Sequence, residues 1–458
     1  MNIIVRFKET SRIHGTMVRV IPFKAYRYDK EKVGDLSKVV SPPYDVIKGK
    51  KLDAVHALSN YNIAWVTKNK PADGDTEENN QYTRARDLLN EWISEWILRQ
   101  DETDCFYVYS QDFEVLGRTL SRFGFIGLLE LEEFAKEAPE TGPFSGILQH
   151  EETLPKDIED RLNLSRKTLA QFGQIFVIYP DHEGTVDSIL QKNMENAPVM
   201  DVTDHENIRH RLWKVDGEDD KNIIISAMSD KFAIIADGHH RYKTALALNK
   251  ERPDLDSTRY RMLTFVNMSN PGLVILPTHR LVQNLEDFDI PSLLSEMGEN
   301  FKIIKHDNKD SMFSEMDSLF EAGKHAFGVY LNNGEFYSME LTDISPMDTL
   351  RAEASRELRE LDVAILHSMI LDKVLGIDKE KLLHGTMTGG GYVVYVKGIG
   401  DAVDESIQAV NEGAQCVFFM NPTRIEEVES VSKNFECMPQ KSTFFHPKVW
   451  TGFTINKL

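Results

Sequence analysis

The chain lacks most of the features that reveal a function at a glance. Its 458 residues include three cysteines, Cys105, Cys416 and Cys437, without metal-type spacing. Cys105 and Cys416 each begin an apolar run and read as core residues. Such usage fits a reduced, cytoplasmic protein. No apolar run approaches the length that crosses a bilayer. The opening residues alternate apolar and charged types and lack a signal-peptide core. A net charge of −20 with no lysine or arginine cluster argues against nucleic acid as a partner. It does not exclude one small anion site, because local charge decides that. There is no complete Walker motif, dinucleotide fingerprint, nucleophile elbow or fixed-period repeat. His150-Glu151 is not a zinc-protease helix, since position 154 is Leu where a second His is needed.

The most informative stretch is Lys231 to Lys250, KFAIIADGHHRYKTALALNK. Its first residues form a short apolar strand that Asp237 and Gly238 break. From His239 a helix is expected, with Tyr242, Ala245, Leu246 and Leu248 as its apolar stripe. A strand turning through glycine into a helix leaves N–H groups pointing outward at the positive end of the helix dipole. That geometry suits a phosphate or carboxylate. His239, His240 and Arg241 add cationic donors, and Arg241 could hold a phosphate with two parallel hydrogen bonds. Asp237 could cap the helix or hold a metal beside the anion. Alanine at His240 or Arg241 is expected to abolish activity while leaving the melting temperature nearly unchanged.

Other polar clusters stand apart in the sequence. Ser41 to Ile47 holds Pro42-Pro43-Tyr44-Asp45, an extended turn stiffened by two prolines. His150-Glu151-Glu152 precedes Lys156 and Asp160-Arg161; a glutamate there could be a general base and Lys156 or Arg161 an anion contact. Pro277-Thr278-His279-Arg280 ends a strand and offers another anion contact. Met438 to Lys448 gathers Lys441, Ser442, Thr443, His446 and Lys448 between prolines. Lys441-Ser442-Thr443 resembles a phosphate loop without its glycines.

The pattern of elements predicts an α+β fold with a mixed sheet. A strong amphipathic helix is expected over 75–100, a hairpin around Gly117-Arg118, and helices over 162–172 and 183–193. After residue 285 strands alternate with helices, and 352–375 reads as the longest helix there. The division is therefore 17–285, with an insertion at about 60–230, and a C-terminal α/β domain over 286–458.

Together these five motifs, in this order, resemble a widespread bacterial and archaeal family, DUF1015, across nearly the whole chain. Asp-Gly-His-His-Arg between a strand and a helix also resembles the ParB and sulfiredoxin-like fold and its free serine kinases. That second resemblance implies a nucleotide-dependent phosphotransferase acting on a small hydroxylated metabolite, free serine being the first candidate. It implies ATP or ADP and Mg2+ as cofactors, with Asp237 near the magnesium ion. Gly238, His239, Arg241, Arg280, Lys441 and Lys448 would bind phosphate. Asp45, Glu151, Asp237 and His240 would be catalytic, and Tyr44, His150, His279 and Ser442 would face the substrate. A nucleotide-gated regulatory module, or a metal-dependent hydrolase built on His239, His240 and Asp237, stays open beside it. Neither nucleic acid nor membrane is expected as a partner, and a homo-oligomer is allowed.

Overall fold

Phe106–Val115 and Arg118–Glu130 are long strands, apolar and buried where they lie farthest from the turn, and they join through Leu116-Gly117, whose φ values of 50° and 69° are both left-handed. A type I′ turn needs that conformation, and it closes the hairpin with the twist that strands prefer. The protein is described from a computed structural model that covers residues 18–134, 146–151, 156–382 and 391–458, without the side chains of Lys156 and Asp157. Glu152 therefore lies outside the described residues, as does the Lys156 side chain.

The hairpin sits in a mixed sheet of nine strands among the described residues. Its order is Ile147–Gln149, Ala233–Asp237, Ile175–Tyr179, Tyr260–Asn267, Arg118–Glu130, Phe106–Val115, Arg209–Val215, Met200–Thr203, with Val20–Ile21 also on Arg118–Glu130. Two pairings are parallel: Ala233–Asp237 with Ile147–Gln149, and Tyr260–Asn267 with Ile175–Tyr179. The middle strands are covered on both faces, so Ile175–Tyr179 (IFVIY) is buried at every residue. Phe106, Phe125, Val177 and Phe265 are core residues, and the Phe125 and Phe265 rings stack at 4.6 Å. Tyr242 and Leu246 bring the helix His239–Glu251 onto this core. The mixture of strands and helices is α+β.

The chain divides into two compact units. One comprises Met1–Gln149, Thr153–Leu273 and Pro447–Leu458; the other comprises His150–Glu152 and Val274–His446. Residues 60–230, expected as an insertion, supply central strands of the first unit's own sheet. The last dozen residues belong to that unit as well, where the sequence pattern assigns them to a C-terminal domain. The second unit is built on an antiparallel sheet in the order Phe301–His306, Phe336–Leu341, Ala326–Leu331, Cys416–Met420, Thr278–Val282, Val393–Lys397. Met312, Met316, Val417 and Phe419 fill one of its cores.

Two helices differ from expectation. The helix expected over 75–100 runs only from Gln81 to Ser94; Asn80 starts it with a capping box, and Trp96, at φ 64° and 60 % exposed, ends it. The expected long helix at 352–375 is a chain of short pieces: Arg356–Arg359, Asp362–Ile365 and a π-helical stretch Leu366–Asp372. Ser355 caps a fresh start, and Leu361 is extended, so the hydrogen-bond ladder is interrupted twice. Cys105 and Cys416 are fully buried, as expected of core residues.

Candidate functional site

The strand Ala233–Asp237 ends in a bulge: its register on Ile175–Tyr179 shifts between Ile235 and Asp237, and Asp237 still pairs with Phe176. Gly238 follows with φ 105°, a conformation open mainly to glycine, and is the N-cap of the helix without any side-chain cap. A methyl group at Gly238 would meet Arg241 Nε at 3.1 Å. The space beside the turn is thus filled by the Arg241 guanidinium, and the role of Gly238 is conformational.

Asp237 does not cap the helix. Its Oδ2 accepts from Arg241 Nη2 and its Oδ1 from Lys448 Nζ. Burial alone would push this carboxyl up, but Lys448 and Arg241 outweigh it and hold Asp237 well below the usual carboxylate range. With both oxygens engaged by cations, Asp237 does not fit a magnesium ligand. No group of three or more His, Cys, Asp or Glu side chains placed to hold a metal occurs among the described residues. The expectations of Asp237 as a metal ligand and of a His239–His240–Asp237 hydrolase centre are therefore corrected. His239 is buried and His240 half-buried at the first two helical positions.

Arg241 is also no surface group. It is 9 % exposed, and its Nη1 donates to the Gln174 carbonyl while Nη2 is held by Asp237. Truncating it would leave a buried carboxylate short of a partner, so the expectation of an alanine variant with unchanged stability does not hold.

On its far side Arg241 lines a pocket with Tyr44, Arg161, Phe172, Gly173 and Arg261. The space open to the centres of water-sized groups is about 60 Å3, and all the empty space, open solvent included, is about 610 Å3. Three buried guanidiniums converge there, and no Asp or Glu among the described residues lines the wall, which Leu458 also reaches. Arg161, from the helix Lys156–Thr168, donates to the Thr67 carbonyl at 2.6 Å and to Asp160 at 2.5 Å, and stacks over the Tyr44 ring at 4.1 Å. Asp45, exposed on the same loop as Tyr44, lies within electrostatic reach of Arg241.

Arg261 differs from the other two. It stands inside the strand Tyr260–Asn267, is 8 % exposed, and donates Nη2 to the Gly173 carbonyl at 2.5 Å. Its Nε is buried without a hydrogen-bond partner, and no carboxylate pairs with it among the described residues. Burial first, and the neighbouring Arg241 charge second, push it down to about 9. The one visible warning in the sequence is an arginine within the otherwise apolar run YRMLTFV; neither Arg261 nor Arg122 was expected in a site.

Lys448 reaches Asp237 because the C-terminal segment is tied into the first unit. Gln111 donates to the Lys448 carbonyl at 2.9 Å, and Arg122 to the Pro447 carbonyl at 2.5 Å. Gln174 donates to Thr454 at 2.9 Å, and Thr451 exchanges backbone bonds with Ser41. Arg122, 2 % exposed, lies over the Phe176 ring at 4.7 Å and is pushed down to about 10 by burial.

The remaining expected residues belong to the second unit, and there they strap the 438–446 segment. Glu151, expected as a base, accepts from the Lys441 N–H at 3.2 Å, while Arg280 Nη2 donates to the Lys441 carbonyl at 3.1 Å. Between those two bonds Lys441 sits at φ 58°. Arg280 is fully buried; its Nη1 donates to the Thr278 carbonyl and its Nε to His367 Nε2 at 3.2 Å. These partners leave it no opening toward a phosphate, which corrects that expectation. His279 accepts from the Met420 N–H at 3.1 Å and is pushed down to about 4, by burial and then by Arg280, so it is a neutral core histidine. Ser442 donates to the Pro439 carbonyl at 2.5 Å, and His150, 1 % exposed, shares a 2.8 Å bond with Thr443. Neither His150, His279 nor Ser442 is presented to a substrate.

The first unit thus defines an α+β protein with a buried cationic pocket. The chain belongs to the family described as protein of unknown function (DUF1015), whose model matches residues 20–364. No curated protein matches it. Among solved structures it is similar to a free serine kinase in complex with AMP, at 14 % identity and a TM-score of 0.32 over 66 % of this chain and 83 % of that one. It is also similar to SbnI with a C-terminal truncation from Staphylococcus aureus, at 10 % identity and a TM-score of 0.31 over 68 % and 84 %. A hypothetical protein from Pyrococcus furiosus gives 12 % identity and a TM-score of 0.31 over 66 % and 87 %. Likenesses this distant leave the chemistry to the chain's own residues. No helix among the described residues is long and apolar enough to cross a membrane.

Proposed function

We propose that this protein is a nucleotide-dependent phosphotransferase. Its first unit would hold the phosphates of ATP or ADP in the pocket of Arg161, Arg241 and Arg261, and a small hydroxylated metabolite would accept the phosphoryl group. Free serine is the first acceptor to try. The observation that carries the reading is Arg261, a guanidinium buried without a carboxylate partner among the described residues. Burying such a charge is costly, and a bound anion is the natural compensation. A phosphate meets several guanidiniums with charge-assisted bonds, and preorganised donors are what phosphoryl transfer asks of a protein.

In the transfer, the acceptor's hydroxyl oxygen bonds to phosphorus as the bond to the leaving phosphate oxygen breaks. The hydroxyl proton passes to a carboxylate, for which exposed Asp45 beside Arg241 is the best-placed group of this unit. Every buried cation here is fixed by a carbonyl or carboxylate, so little reorganisation is needed as charge moves.

A second reading, a nucleotide-binding module without transfer, is favoured by one feature: among the described residues the pocket wall offers no Asp or Glu side chain as base. The two separate in one assay. The protein is incubated with ATP or ADP and magnesium salt against a panel of amino and hydroxy acids, followed by phosphorus NMR. A new phosphomonoester supports the transferase. Saturable nucleotide binding without turnover supports the module, and absence of both binding and turnover sinks both.

A further inference from the structure

We infer that the arginine pocket seats a single terminal phosphate end-on, so that its ligands are phosphomonoesters, terminal phosphates and inorganic phosphate, and not phosphodiesters. This rests on reading the pocket as the phosphate site.

Size is the first ground. Only about 60 Å3 is open to the centres of water-sized groups. That admits a few oxygen-sized atoms, the scale of one tetrahedral oxyanion. A nucleoside does not fit there. All the empty space, open solvent included, is about 610 Å3, the size that takes a drug-sized ligand, so the rest of the molecule has its place outside.

Fixed donors are the second. Arg161, Arg241 and Arg261 arrive from two helices and a strand; each is tied by one N–H to a backbone carbonyl, of Thr67, Gln174 and Gly173, and Arg161 and Arg241 are held further by Asp160 and Asp237, so that Arg261 has the most donor capacity left. Each fork is therefore held in place before a ligand arrives, and Arg261 keeps a buried Nε still without an acceptor. A tetrahedral group with three unesterified oxygens can offer one to each fork. A diester has only two such oxygens, one fewer than the three forks, and a second ester arm in place of the third.

The test is calorimetry on the full chain with inorganic phosphate, methyl phosphate and dimethyl phosphate, each also as a competitor of ADP. Phosphate and methyl phosphate are expected to bind and to displace ADP, with dimethyl phosphate at least tenfold weaker. Arg261→Gln is expected to weaken phosphate at least tenfold, and Arg261→Lys, which keeps the charge without the fork, by less. The competition series needs only the wild-type protein, so it stands even where a variant fails to fold. ADP binding that phosphate cannot compete with, or dimethyl phosphate binding as well as methyl phosphate, overturns the end-on seat and leaves the phosphotransferase reading intact. Failure of ADP and all three phosphates to bind removes both.

Discussion

Replacing Arg261 with methionine is expected to make the ligand-free protein more stable. Burial and Arg241 push this guanidinium down to about 9. That lies about 3.5 pH units below its ordinary value of 12.5, which at about 1.4 kcal/mol per unit sets a ceiling near 5 kcal/mol for the cost of keeping it charged. Against this, methionine loses the bond to the Gly173 carbonyl and strands that acceptor, at about 1–3 kcal/mol. The balance is a gain of at most about 2–4 kcal/mol, or several degrees in Tm. The sign with pH follows from the lowered value. Below about pH 9 the folded protein carries the full cost, so the variant's advantage is complete there. As pH rises through 9 the wild-type arginine sheds its proton in the folded state, and the advantage shrinks. Thermal melts of both proteins in phosphate-free buffer, from pH 7 to pH 10, would show this. A variant that melts several degrees lower at pH 7 would refute the reasoning, because Arg261 would then have a partner worth more than its burial costs. Loss of function alongside gained stability is the pattern expected of a binding residue.

Other outcomes follow from the same geometry. Asp237→Asn removes the carboxylate that two buried cations share and should cost about 3–5 kcal/mol in urea denaturation at pH 7. Because Asp237 is held low, its contribution is present above the ordinary carboxylate range and fades as pH falls through its folded value; the variant's stability should therefore vary less between pH 6 and pH 3. Leu116→Asn, at φ 50° in the hairpin turn and 78 % exposed, should raise stability by about 0.5–1 kcal/mol, read as a shifted urea midpoint. Lys441→Gly should be neutral or stabilising by up to about 1 kcal/mol, since Glu151 and Arg280 hold its backbone and not its side chain; a large loss would mean that the lysine side chain carries the contact.

The strand–turn–helix at Asp237 was legible because its signals are local: a buried apolar run, a glycine and a helical stripe. Several strands were legible for the same reason, Ala326–Leu331, Phe336–Leu341 and Cys416–Met420 among them. The long helix expected at 352–375 failed because hydrophobic spacing continues across Leu361 while the backbone does not. The site was half legible. Tyr44, Asp45, Arg161 and Arg241 were singled out, yet the chemistry of Asp237 depends on Lys448, 211 residues on, and no spacing rule links them. Arg280 and His279 read as ligand contacts because polar residues at a strand end attract that reading; their carbonyl, backbone N–H and imidazole partners, visible only in three dimensions, make them internal struts. Arg261 was missed since a lone arginine in an apolar strand has no motif. Its significance comes from what it lacks, a carboxylate, and absence of a partner cannot be read along a chain.

One titration bears most directly on the phosphate pocket: ADP into the wild-type chain and into Arg261→Met, by calorimetry at pH 7.5. A saturable heat in the first that weakens at least tenfold in the second is the predicted result. Equal heats from both proteins, or none from the wild type, would contradict it.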